Sequence, residues 1–314
     1  MKKRILATLL VGAIAGTSLI GLTACGGVSL PKGDEVDAEK WVEAFEKTGE
    51  LENYTLKHSQ NLSGSAEGTY YISETKTTEL NYKAKSSVSE TVLYDLKGKK
   101  AYAEETSNID MTLGLFGLKD YQKGKMSSTD KTYYEFSQTE DEEDYYWKVS
   151  YSKEKMSNVD QKSTDEDLWY AYETGTFYSP EFGTLEDTFY KDSEGEEGGY
   201  LPSLYESFKF ENGVYTASLY QRVYLYEGIR TIVPVTVSVS ISKADSCILG
   251  AKLVYDATGT AKEEGEYELS YKYKGEDVYA LSNIGSTDAS KKATSAVKKA
   301  IEREKTIEAA RKEN

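Results

Sequence analysis

The sequence predicts a mostly β protein of the α+β class: a large antiparallel sheet with a covering helix near the start, short helices in the middle and a charged helix at the end. Three observations lead there. Tyrosine is abundant, with 27 residues, and proline scarce, with 4; such a composition suits pleated faces, where a tyrosine ring packs while its hydroxyl reaches water. From Tyr54 onward apolar residues recur at every second position, the spacing of half-buried strands. Helical spacing is confined to one stretch before Tyr54 and one at the end of the chain.

The first helix runs from Asp37 to Lys47. Trp41, Ala44 and Phe45 share a stripe, with Glu43, Glu46 and Lys47 outside it, and Asp37 stands at the N-cap with Lys40 where a capping box wants an acid. The first strand then places Tyr54, Leu56, His58, Gln60 and Leu62 on one face. Further strands are expected at Thr69–Glu74, Thr78–Ala84, Ser89–Leu96 and Ala101–Thr106, the last two joined into a hairpin by Lys97-Gly98-Lys99. Met111–Leu118 is an apolar, glycine-containing interruption without an assigned element. Thr132–Gln138 and Tyr145–Tyr151 form a second hairpin through the carboxylate-rich Thr139–Asp144.

Leu168–Tyr172 and Leu185–Tyr190 fit short helices or strands equally. Glu194–Gly199 reads as a loop that leaves open a division into two β units near residues 190–200, and Leu201–Phe208 as a short helix. The clearest alternation follows: Thr231, Val233, Val235, Val237, Val239 and Ile241 on one face, with Pro234 requiring an edge or a bulge because it lacks an amide donor. After the turn Lys243–Ser246, the set Ala251, Leu253 and Tyr255 continues, and Tyr267, Leu269, Tyr271 and Tyr273 close the sheet. Asp288 to Glu313 is a charged helix with the narrow stripe Ala293, Val297, Ala300 and Ile301; Glu308 and Lys312 form one helical pair.

The N-terminus carries the most specific pattern. Lys2, Lys3 and Arg4 precede an uncharged, mostly apolar run from Ile5 to Leu22, then Leu22-Thr23-Ala24-Cys25. This segment resembles a bacterial lipoprotein signal, whose lipobox is a branched apolar residue, two small residues and a cysteine. The resemblance implies cleavage between Ala24 and Cys25 and diacylglycerol on the Cys25 sulfur. An uncleaved transmembrane anchor is the competing reading, since the run is near the ~18-residue lower bound for a span. Gly12, Ala13, Ala15 and Gly16 and the placement of Cys25 favour the lipoprotein. The expected organisation is a signal peptide at 1–24, a tether at 25–36, a β-rich body at 37–285 and the charged helix at 286–314.

Charge bounds the partners. The chain carries −15, and losing Lys2, Lys3 and Arg4 with the signal takes it to −18. That balance argues against nucleic acid and against broad adhesion to anionic headgroups, so the lipid on Cys25 would be the attachment to the membrane. With Cys25 lipidated, Cys247 has no partner for a disulfide; its setting reads as a small buried hydrophobe before it reads as a nucleophile.

Chemistry-bearing constellations are sparse. His58 is the one histidine, so neither a multi-histidine metal site nor a serine triad is expected, and no cofactor is. Beside Gln60 it is either a lone base or ligand, or a hydrogen-bonded strand residue. The carboxylates of Glu140–Asp144, Asp165–Asp167 and Glu194–Glu197 match no calcium loop and read as solvated. Tyr133-Tyr134, Tyr145-Tyr146-Trp147 and Trp169-Tyr170 with Tyr172 can stack on sugars or line a lipid groove, or they can simply pack the sheet.

Lipobox, tether, a helix with Trp41 and Phe45, then a long antiparallel run: this order, over roughly Glu35–Asp277, resembles the LolA/LppX-like lipoproteins. That resemblance implies a strongly curved half-barrel sheet whose hollow holds acyl chains, and it transfers no functional residue. The expectation is therefore a lipid-anchored, extracytoplasmic protein of the cell envelope that binds a hydrophobic or amphiphilic ligand without catalysis. A surface protein binding glycan or protein through exposed aromatics is the alternative, and an Asp/Glu-dependent hydrolase a weaker one.

Overall fold

The computed structural model describes residues 28–73, 76–138, 144–158, 162–166, 170–174, 190–193, 196–200, 209–226 and 229–312. The chain is mostly β, with one large, curved, unclosed antiparallel sheet and two short helices. Ala24 and Cys25 lie outside the described residues, as do 139–143, 185–189 and 201–208.

Helix α1 (Ala38–Gly49) starts where the sequence places it: the Asp37 carboxylate accepts from the Lys40 amide at 2.9 Å. Fourteen strands are described. The N-terminal series is β1 (Asn53–Ser73), β2 (Lys76–Asp95), β3 (Lys100–Leu115), β4 (Leu118–Gln138), β5 (Asp144–Asn158), β6 (Lys162–Glu166) and β7 (Tyr170–Thr174). The short β8 (Tyr190–Ser193) and β9 (Glu196–Tyr200) pair with each other in a separate sheet. The C-terminal series is β10 (Lys209–Glu211), β11 (Val214–Tyr226), β12 (Ile229–Ser242), β13 (Cys247–Glu263) and β14 (Tyr267–Ser282). A 3-10 turn (Ala289–Lys292) leads into helix α2 (Ser295–Lys312).

The sheet order is β10-β11-β12-β13-β14-β1-β2-β3-β4-β5-β6, with β7 also on β5. The first and last long strands therefore meet in the middle, registered from Thr55↔Ser282 to Tyr70↔Tyr267. The two series are halves of one sheet along this seam.

The strands are much longer than the sequence reading allows. β1 and β4 have 21 residues and β2 has 20, against the usual 3–10. Thr69–Ser73 continues the strand begun at Tyr54, with Glu74 outside the described residues, and Thr78–Ala84 and Ser89–Asp95 are one strand. The joins, Ser63-Gly64-Ser65 and Lys85-Ser86-Ser87, carry weak β-formers, but hydrogen bonding to neighbours on both sides carries the strand through them.

Met111–Leu118 is the β3–β4 hairpin tip. Its two-residue turn is Phe116-Gly117, with φ of 56° and 77°. The Lys97-Gly98-Lys99 hairpin is present, and the Asp95 carboxylate accepts from the Gly98 amide at 2.8 Å. Pro234 sits where β12 has β11 as its one neighbour, because the β12–β13 ladder begins at Val235. Tyr170–Thr174 is a strand rather than a helix.

Curvature makes one face an interior. Alternate residues of β11–β14 and β1–β3, among them Val233, Val237, Leu253, Leu269, Leu80 and Leu113, share a core with Trp41, Ala44 and Phe45 of α1. Trp41 meets Tyr215 edge-on at 4.9 Å, and Thr48 Oγ1 accepts from the Ile248 amide at 2.8 Å. A second core lies on the opposite face, where Val297 and Ile301 of α2 pack on Tyr102, Tyr133, Trp147 and Val149.

Two differences concern the ends. The segment read as a tether is bound to the sheet over its last residues: the Gly33 amide donates to Gly213 O at 2.8 Å and the Asp34 amide to Ile241 O at 2.7 Å. A Cβ at Gly33 would lie 2.4 Å from Ile241 O, so this glycine serves close approach rather than flexibility. The C-terminal helix is broken at Ala293-Thr294, with Asp288 capping the 3-10 turn and Thr294 Oγ1 accepting from the Val297 amide at 3.3 Å.

Candidate functional site

Two polar arrays cross the sheet on opposite faces. The inner one is centred on His58. Register places Tyr279, His58, Glu90, Glu105, Asp130 and Ser152 side by side on β14, β1, β2, β3, β4 and β5. His58 is 7 % exposed and stacks on Tyr279, with ring centroids 4.2 Å apart and planes within 1°. Its Nε2 lies 2.7 Å from Asp277 Oδ1 and its Nδ1 3.5 Å from Glu90 Oε2. Gln60 Nε2 donates to the other Asp277 oxygen at 2.9 Å.

Burial works against the imidazolium, but the hydrogen bonds and charges of Asp277 and Glu90 outweigh it and raise the His58 pKa to about 9. A protonated ring with a carboxylate facing each nitrogen has no lone pair with which to take a proton. The arrangement is a buried ion pair, and Gln60 belongs to it. Two strands away, burial first and then Glu90 and Asp130 push Glu105 up to about 7.

The outer array lines an open groove of about 870 Å³ that crosses six strands. One wall is the row Asn61, Ser87, Asn108, Ser127, Lys155 and Thr164 on β1 to β6. The other, two residues along each strand and so on the same face, is Ser63, Lys85, Asp110, Lys125, Ser157 and Lys162, continued by Lys274 on β14. The intervening residues, Leu62, Ile109 and Met126 among them, belong to the opposite face and pack in the core. A shallower groove of about 410 Å³ continues along Ser65, Lys83, Thr112 and Lys272.

Five lysines and one aspartate line the larger groove, in a chain of net charge −15. Lys125 pairs with Asp110 at 2.6 Å and Lys274 with Asp256 at 2.8 Å; both are exposed pairs that contribute little to stability. Among the described residues, Lys85, Lys155 and Lys162 have no carboxylate partner. Chemically the groove offers ammonium groups, hydroxyls and amides along a track of roughly 24 Å, five strand spacings.

These lysines come together only through the register between strands, which composition does not reveal. One signal was present: Lys-x-Lys recurs at Lys83/Lys85, Lys123/Lys125, Lys153/Lys155 and Lys272/Lys274, and a period of two puts both members of each pair on one face.

The other sequence candidates are placed as follows. Cys247 is fully buried, its thiol pushed up to about 11 by burial and by Asp245. Tyr133 and Trp147 are buried under α2. Side chains at Tyr145, Tyr146, Asp165, Tyr170 and Tyr172, and all of Trp169, lie outside the described residues. Among the described residues, no three His, Cys, Asp or Glu side chains cluster as metal ligands, and no helix is long and apolar enough to cross a membrane.

Comparison with known proteins adds little. No family model matches the chain, and no curated protein does. Among solved structures, the translocator domain of the autotransporter NalP from Neisseria meningitidis aligns over 77 % of this chain and 94 % of its own, at 9 % identity and a TM-score of 0.21. Likeness at that level establishes neither fold nor function, and the groove has to be read from its own residues.

Proposed function

We propose that the chain is a lipid-anchored, non-catalytic binding protein of the cell envelope that holds an extended ligand across the outer face of its sheet. The observation that carries this reading is the groove: about 870 Å³ of open space, registered over six strands and lined by side chains with donors to offer. The inner face of β1, β2 and β3, which carry part of the same groove, is occupied by the protein's own core. Of the two ligand classes expected from the sequence, the geometry favours one that lies on the surface over an acyl chain held in a hollow. The candidate base, His58, is committed to Asp277 and Glu90, which supports binding without catalysis.

Ser127→Trp tests the site, because it places a large ring in the groove wall and leaves the core face untouched. The full-length protein, purified from membranes in detergent, would be incubated with soluble glycan fragments released from the same envelopes and analysed by native mass spectrometry. Wild type is expected to retain fragments and Ser127→Trp to lose them. Co-purified lipid in both, with no glycan in either, would instead support a hydrophobic ligand.

A further inference from the structure

The geometry points to a specific chemistry for the ligand of this groove: a linear polyanionic glycan, read by lysines on alternate strands. The inference rests on the groove being the binding site. Lys274, Lys85, Lys125 and Lys162 stand in one cross-strand row on β14, β2, β4 and β6. Every second strand contributes one, so their backbone positions recur at roughly 9.5 Å. The next row repeats the device with Lys272, Lys83 and Lys123 on β14, β2 and β4.

These lysines stand in a chain with 53 acidic residues and 38 basic ones. Cross-strand neighbours of opposite sign stabilise a sheet, and this protein uses them elsewhere, as in Lys131 with Glu104 at 2.8 Å and Lys252 with Glu276 at 2.5 Å. In the groove row Lys274 and Lys125 pair with Asp256 and Asp110 in the same way, but Ser63 and Ser157 stand beside Lys85 and Lys162, and Lys83, Lys85, Lys155 and Lys162 make no ion pair among the described residues. Ammonium groups left without an ion pair raise the local concentration of an oppositely charged ligand.

The opposing wall of Ser87, Ser127 and Thr164 supplies hydroxyls of the kind that pair with sugar hydroxyls. Among the described residues no aromatic ring lines the groove, so the bases of a single-stranded nucleic acid find no stacking platform on them. Charge repeating at a regular strand interval along an extended track therefore favours a linear anionic polysaccharide.

Lysine-reactive footprinting read by mass spectrometry tests this on the full-length protein in detergent, with polygalacturonate, neutral dextran and oligothymidylate as probes. Polygalacturonate is expected to shield Lys85, Lys155 and Lys162 and to lose that effect at high salt, while dextran leaves them reactive. Lys85→Gln with Lys162→Gln is expected to weaken polygalacturonate about tenfold at unchanged thermal stability. Equal shielding by dextran would overturn the polyanion and keep the groove as the site. No shielding by any probe would overturn the groove itself. Stronger shielding by oligothymidylate than by polygalacturonate would overturn the glycan.

Discussion

At the scale of single residues, the inner row links burial to pH. His58 has its pKa raised from 6.5 to about 9, so the stability it contributes is fully present below pH 6.5 and is lost as pH rises through about 9. Glu105 is raised from 4.5 to about 7, and the same sign applies: its protonated form suits the fold, and stability declines as pH rises through about 7. The folded state should therefore weaken steadily from about pH 4.5 to pH 9 as far as these groups govern it. Urea denaturation across that range checks it. Glu105→Gln is expected to be near neutral at pH 4.5 and to stabilise at pH 8 by roughly 1 kcal/mol after solvent screening. His58→Gln should cost roughly 3 kcal/mol at pH 6, because it leaves Asp277 buried without its cation. A flat pH profile for wild type would contradict both assignments. His58 and Gln60 were legible in the sequence as neighbours on one face. Asp277 was not, since it lies 219 residues from His58 in sequence.

At the scale of elements, local signals were readable wherever a cap or turn used its preferred residue. Asp37 starts α1, and Asn212-Gly213 turns β10 into β11 with φ of 54° and 86°. Phe116-Gly117 builds the same left-handed pair with a residue that disfavours it, and that hairpin escaped the sequence reading. Phe116 is half exposed and leans edge-on against Tyr121 at 5.5 Å. Phe116→Asn, which reproduces the chain's own second turn, is expected to stabilise by roughly 1 kcal/mol in thermal or urea denaturation. A loss of stability would mean that the Phe116–Tyr121 contact outweighs the backbone strain. The long strands were illegible for a related reason. Propensity reads Ser-Gly-Ser and Lys-Ser-Ser as loops, whereas pairing on both sides overrides propensity in a central strand.

At the scale of the whole molecule, the chain returns to itself: β14 pairs with β1, and the two series become one sheet. No periodicity announces such a seam, and it extends the groove by bringing Lys274 beside Ser63. The fold class was legible in alternation and composition; the site was not, since it exists only in the register between strands. Attachment belongs to this scale as well. If Cys25 carries the lipid, Cys25→Ser should move the protein from the membrane fraction to the soluble fraction with its circular dichroism unchanged. Retention in the membrane after signal cleavage would disprove the tether.

The most direct test of the lysine groove is the salt dependence of polygalacturonate binding, compared between wild type and Lys85→Gln with Lys162→Gln. Each ammonium that neutralises an anion contributes to the slope of log affinity against log salt. The groove as described predicts a steep wild-type slope that becomes shallower by about two in the double variant. Identical slopes in the two proteins would show that these lysines do not meet the ligand, and would contradict the account.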